Sequence, residues 1–197
     1  ISYHGSQNTV GVFASTDLDY NDYLFVSLSA RNDWVSNLPT ENNSMLYPSM
    51  SVSFLPTASN PDLTSDNLSY LKVRASYVTS AGFPGGYPTV NTVSQNTNVN
   101  GGLNGGIITN SVSDFQANPD LKPELLGELE FGVDARMFNN RLGINASYFE
   151  RTSTDLIVFK PLPTSTGFTS TQDNIGKVEG DGVELDLDFD VMESNDG

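Results

Sequence analysis

The chain has 197 residues, of which 24 are acidic and 9 basic, for a formal net charge of −15. That balance repels a phosphate backbone and excludes nucleic acid as a partner. With no cysteine and one histidine, His4, the chain cannot build disulfides, thiolate metal sites, iron–sulfur clusters or His-rich centres, and neither a metal nor a cofactor is expected.

From the N-terminus, Val10, Val12, Ala14, Thr16 and Leu18 alternate with small or polar residues. This period-two pattern marks a strand with one apolar face. Asn21-Asp22 reads as a tight turn into a second strand, where Leu24, Val26, Leu28 and Ala30 alternate with Phe25, Ser27, Ser29 and Arg31. A loop over 34–44 leads to a third strand near 46–55. A connection over 56–69, bearing Pro56 and Pro61, leads to a fourth strand at 71–78, with Leu71, Val73, Ala75 and Tyr77 against Lys72, Arg74 and Ser76. Residues 80–122 form a very long connection that includes the Gly-rich run 101–106. In the fifth strand, 127–136, Leu129, Phe131, Val133 and Ala135 oppose Glu128, Glu130, Gly132, Asp134 and Arg136. An Asn-bearing turn at 138–141 joins it to a sixth at 142–151, with Leu142, Ile144, Ala146 and Tyr148 against Gly143, Asn145 and Ser147. After a long connection, 159–175, the seventh strand (182–191) alternates most sharply: Val183, Leu185, Leu187, Phe189 and Val191 against Glu184, Asp186, Asp188 and Asp190.

Asn, Ser and Thr make up 59 of the 197 residues, a composition that favours turns and strands over helix interiors. No apolar run reaches the roughly 18 residues of a membrane-spanning helix, and no basic start precedes an apolar run as in a signal peptide. The seven strands are about ten residues each, the length that crosses a bilayer as a tilted strand. Short connections at one end and long ones at the other are the plan of an outer-membrane barrel, whereas a soluble sandwich usually has short connections at both ends. Alternation by itself suits either: a sandwich buries the apolar face, and a barrel turns it to lipid. Small or hydroxylated residues on the polar faces (Ser27, Ser29, Ser76, Asn145, Ser147) and aromatics near strand ends (Tyr20, Tyr23, Tyr47, Tyr70, Tyr77, Tyr148, Phe149) favour the barrel. A soluble all-β carbohydrate-binding module is the alternative.

Chemistry-bearing patterns reduce to structure. Asp186, Asp188 and Asp190 mimic a calcium loop, but Val191 stands where the loop needs Gly, and Leu187 and Phe189 say strand. The carboxylates Glu128, Glu130 and Asp134 have no spacing that identifies a glycosidase pair. His4 has no nucleophile elbow to serve, and the run 101–106 lacks the Lys-Ser/Thr of a phosphate loop. The chain reads as no enzyme.

Asn118-Pro119-Asp120-Leu121-Lys122-Pro123-Glu124, followed by Glu128, Glu130 and Gly132, resembles a signature of TonB-dependent outer-membrane transporters. Asn140-Arg141-Leu142, Ala146-Ser147-Tyr148-Phe149, Thr154-Asp155-Leu156-Ile157, Asn174-Ile175-Gly176 and Gly182-Val183-Glu184 are similar to the hairpin and strand that follow it. Upstream, Tyr23 to Ser29 with Ala30-Arg31-Asn32-Asp33, Tyr47-Pro48-Ser49-Met50-Ser51-Val52 and Leu71-Lys72-Val73-Arg74-Ala75-Ser76-Tyr77 narrow the resemblance to the SusC/RagA branch. Trp34-Val35 and Ser80-Ala81-Gly82 depart from that branch's usual Gly-Ser and Thr-Gly-Asn.

The resemblance implies an antiparallel transmembrane barrel of about 22 strands around a plug. This chain, 1–197, would be one partial barrel domain of about seven strands, cut at Ile1 and Gly197 from a longer protein and lacking plug, signal peptide and C-terminal strand. It further implies a bacterial outer-membrane location and import of oligosaccharides or peptides. A SusD-like surface lipoprotein would be the lid, and the TonB–ExbB–ExbD complex would supply the energy. Candidate substrate contacts are the loop aromatics Trp34, Phe83, Tyr87 and Phe168, with Arg31 and Asp33 on the polar face beside Lys72 and Arg74.

Overall fold

The structure is a computed structural model that describes residues 6–99 and 107–191. His4 and the Gly-rich run 101–106 lie outside the described residues. In chain order the strands are β1 (Thr9–Tyr20), β2 (Leu24–Val35), β3 (Ser44–Phe54), β4 (Leu68–Gly82), β5 (Val93–Val99), β6 (Ile107–Val112), β7 (Phe115–Gln116), β8 (Glu124–Met137), β9 (Leu142–Thr154), β10 (Ile157–Pro161), β11 (Ser170–Asn174) and β12 (Lys177–Phe189). Seven of them form one sheet in the order β1-β2-β3-β4-β8-β9-β12, every neighbouring pair antiparallel. These are the seven strands that the alternation predicts.

Cross-strand partners share a face, so the register sorts the side chains. The pairs Leu18↔Val26, Leu28↔Met50, Val52↔Ala75, Val73↔Val133, Phe131↔Tyr148 and Ile144↔Leu187 run across one face. The pairs Ser29↔Ser49, Ser51↔Ser76, Ser76↔Glu130, Asp134↔Asn145 and Ser147↔Glu184 run across the other. Among the described residues no second sheet covers the apolar face: Val183 is 74% exposed and Leu187 65%. A soluble sandwich would bury these positions, and that alternative is set aside.

The two ends of the sheet differ. At one end β1 and β2 meet in a turn whose Asn21 and Asp22 both take positive φ, 51° and 59°, the requirement of the hairpin turn that matches strand twist. The β8–β9 turn bends through Phe138, Asn139 and Asn140, all left-handed. Between β3 and β4, at the same end, stands a single helical turn, Pro56–Ser59. There the Thr57 hydroxyl accepts from the Leu71 N–H (3.2 Å) and faces the Leu71 carbonyl (3.4 Å) beside an irregularity in β4. Aromatic rings gather at this end: Tyr20 meets Tyr23 at 5.5 Å and Tyr23 meets Phe54 at 6.0 Å, both edge to face.

The long connections at the other end are not structureless. Residues 83–123 contain the β5–β6 hairpin and β7, and residues 155–176 contain β10 and β11. A small sheet β10-β11-β7 joins the two connections. The buried apolar cluster among the described residues, Val35, Leu38 and Leu121 with Phe83 and Ile157 against it, sits at this end, where β2 finishes at Val35, rather than along the body of the large sheet.

Candidate functional site

Polar-face side chains reach one another across neighbouring strands because the register puts them level. Arg74 of β4 faces Gly132 of β8. Its guanidinium lies across that glycine, where an added Cβ would collide with it. From there it donates to Glu130 (3.2 Å), Asp134 (3.1 Å) and the Asn145 side-chain oxygen (3.2 Å). Arg136 likewise overlies Gly143 of β9 and stands 3.8 Å from Asp188 of β12. Phe149 fills the space beside Gly182 and carries the Arg151 guanidinium 5.9 Å above its ring, while Arg151 donates to Glu128 at 2.6 Å. Glycines thus open gaps in which long side chains lie flat along the wall. Such interstrand charge-assisted bonds hold register and satisfy both partners.

Toward β12 the balance changes. Asp134, Arg136, Asn145, Asp186 and Asp188 line an open concavity of about 430 Å³. Among the described residues Glu184 and Asp186 make no ion pair, and Asp188 makes only its long contact with Arg136. This edge of the polar face is therefore net acidic.

Arg31 and Asp33, two of the predicted contacts, are brought together. Arg31 Nε donates to both Asp33 oxygens at 2.9 and 3.1 Å, and the Tyr47 hydroxyl closes the group on Asp33. All three belong to the polar face, and Asp33 and Arg31 crowd the Cβ side of Gly11. Trp34 alternates with them and belongs to the opposite face, 41% exposed. Phe83 packs on the buried trio Val35, Leu38 and Leu121. The Tyr87 hydroxyl is 3.2 Å from the Ser36 hydroxyl and donates to the Ser6 carbonyl. Phe168 follows the turn Thr164–Thr166, its N–H held by the Thr166 hydroxyl at 3.3 Å. The structure therefore joins Arg31 to Asp33, sets Phe83 and Tyr87 against the 35–38 segment, and keeps Trp34 and Phe168 apart from the pair.

Sequence reasoning placed Tyr47, Tyr70 and Phe149 with the strand-end aromatics, but all three share the polar face. Parity was legible at each position; its consequence depended on neighbours the sequence does not identify. Tyr20, Tyr77 and Tyr148 are on the apolar face as expected.

A family profile described as TonB dependent receptor-like, beta-barrel matches residues 1–195. TonB-dependent receptor P3 of Formosa agariphila is 31% identical over 189 residues, which are 94% of this chain and 18% of that protein. TonB-dependent receptor P26 of the same organism is 29% identical over 187 residues, again 94% and 18%. Among solved structures, a chain of the RagAB peptide importer in its closed-closed state superposes with TM-score 0.84 at 26% identity, covering 95% of this chain and 20% of that one. The siderophore receptor PirA of Pseudomonas aeruginosa, at 16% identity and TM-score 0.61, shares the fold, over 92% of this chain and 31% of its own. The chain thus spans about a fifth of the curated relatives it matches.

Proposed function

This chain belongs to the TonB-dependent receptor β-barrel family of the bacterial outer membrane, and from that premise we propose that it is one stretch of wall in an importer of peptides or oligosaccharides. The observation that carries the reading is the two-faced sheet. Its apolar face suits lipid, and its polar face, with arginines laid flat over glycines, suits a wide wet lumen. Likeness to a peptide importer favours peptide as cargo. In this reading a SusD-like lipoprotein closes over the outer connections, and the TonB–ExbB–ExbD complex powers opening from the inner side. The work is binding and gated passage, with no covalent chemistry. Of the expected cargo contacts Trp34, Phe83, Tyr87, Phe168, Arg31 and Asp33, Arg31 is best placed by its polar-face position and half-exposed side chain, whereas Asp33 is buried beneath it, Trp34 lies on the opposite face and Phe83 serves the small core.

The test is uptake of labelled peptide and oligosaccharide pools by cells that carry or lack the full-length parent, with and without a proton-gradient uncoupler. Gene- and gradient-dependent loss of one pool from the medium supports the proposal. Identical uptake in all cells overturns it. The acidic lumen edge sets a charge preference: Glu184→Gln, Asp186→Asn and Asp188→Asn together are expected to raise uptake of anionic over cationic cargo several-fold. An unchanged ratio removes that role.

A further inference from the structure

The two long outer connections are stitched together by bonds that all cross from one to the other. The Asp114 main-chain carbonyl accepts from the Thr169 N–H at 2.7 Å and from its hydroxyl at 3.1 Å. Phe115 and Gln116 pair in parallel with Ser170 and Thr171. The Asn118 amide donates to the Gln172 carbonyl at 2.9 Å. Glu124, where β8 begins, accepts the Ile157 N–H at 2.6 Å. Between these last two lies Asn174, the final residue of β11.

Its side chain does what a neighbouring strand would do. The Asn174 oxygen accepts the Lys122 N–H at 2.8 Å, and its amide nitrogen donates to the Lys122 carbonyl at 2.9 Å and the Asp155 carbonyl at 2.7 Å. These roles orient the amide, because the reverse orientation would set its oxygen against two carbonyls and its NH₂ against an N–H. Asp lacks the donors, and Gln carries the amide one methylene too far. The next residue, Pro123, has no N–H to offer, so the ladder cannot continue through backbone there. Beside this point Leu121 is fully buried.

We propose that Asn174 is a clasp that locks residues 114–122 of the first connection to residues 155–176 of the second, so that whatever displaces one of these segments displaces both. Mechanically, it makes the outer end beside β8, β9 and β12 a single moving part rather than two independent flaps.

The test is amide hydrogen exchange on the full-length parent in detergent micelles, comparing wild type, Asn174→Ala and, as a control, Thr57→Val at the opposite end of the sheet. Asn174→Ala is expected to speed exchange about ten-fold in both 114–122 and 156–173 while β2 and the body of β9 stay within about two-fold. Thr57→Val is expected to affect only the neighbourhood of 56–71. Faster exchange confined to 170–176, with 114–122 unchanged, overturns the proposal. Should Asn174→Ala fail to assemble, the wild type and Asn174→Asp, which keeps the shape and loses the donors, decide: one shared opening rate for the two segments in the wild type, about ten-fold faster in both in Asn174→Asp, supports the clasp, and wild-type rates more than about ten-fold apart, or rates in Asn174→Asp unchanged in 114–122, overturn it.

Discussion

On β12, Leu185 and Leu187 stand 59% and 65% exposed, while at the outer end Leu121 and Asn37 are sealed at 0%. The large sheet leaves its apolar face bare, and the outer connections bury a small core of Val35, Leu38 and Leu121 under Phe83 and Ile157. Polar groups divide the same way. Arg74 on the sheet keeps a quarter of its side chain in solvent while it binds three partners. Asn37 is enclosed, its amide nitrogen donating to the Pro84 carbonyl and its oxygen without a partner among the described residues. On the proposed reading the sheet draws its stability from its surroundings, lipid on one side and barrel neighbours at both edges. The outer connections carry their own, in miniature. A strand wall can be extended indefinitely by pairing, but loops that meet water must close a core or stay unfolded.

The largest test of this contrast is to express the 197 residues alone. In buffer the bare face and two unpaired edges, β1 and β12, are expected to drive association. In detergent, strand circular dichroism is expected to appear. A soluble monomer with a sharp urea transition in buffer breaks the comparison.

Next in size, Leu121→Ala in the full-length protein removes the centre of the outer core. Opening of the outer connections is expected to become easier by about 2–5 kcal/mol, read by native-state hydrogen exchange. Protection in β9 stays as in wild type; equal losses in both would mean the two regions form one cooperative unit.

Leu187→Arg puts a charge on the lipid face at an expected cost of about 2–4 kcal/mol. The neighbouring Asp186→Arg, on the lumen face, should cost far less. Denaturant titration of protein refolded into vesicles reads both, and similar costs would sink the assignment of faces.

The smallest effect belongs to Lys160→Ala. Lys160 pairs with Asp173 at 3.0 Å, with 49% and 35% of the two side chains exposed. Such a pair contributes about 0–1 kcal/mol and fades with salt, so exchange in β10 and β11 is expected to shift barely at low salt and not at all in high salt.

Every strand of the large sheet was legible because each has one face in lipid and one in water, and alternation records that asymmetry. The strand ends at the outer side were not. β2 continues to Val35, β4 to Gly82 and β9 to Thr154, and β12 starts at Lys177, beyond the predicted limits. There the lipid-side parity positions Glu150, Thr152, Glu179 and Asp181 are polar on β9 and β12. Above the apolar band both faces meet water, so backbone pairing goes on after its sequence signal has ended. β5, β6, β7, β10 and β11 escaped for a related reason: they are only two to seven residues long and lie in connections rich in polar residues. Of the candidate contacts, parity alone placed Arg31 and Asp33 on one face, whereas their joining with Tyr47 needed the β2–β3 register.

Periodicity and turn residues by themselves determined seven amphipathic strands, the polar and apolar face of each, and the tight turns at one end, because these depend on neighbours in the chain. Tertiary structure alone decided which residues stand level: Arg74 over Gly132 rather than beside another carboxylate, Asn174 against Lys122 across a connection, Leu121 at the centre of a core. Register and loop docking join positions tens of residues apart, and no local pattern in the chain encodes that distance.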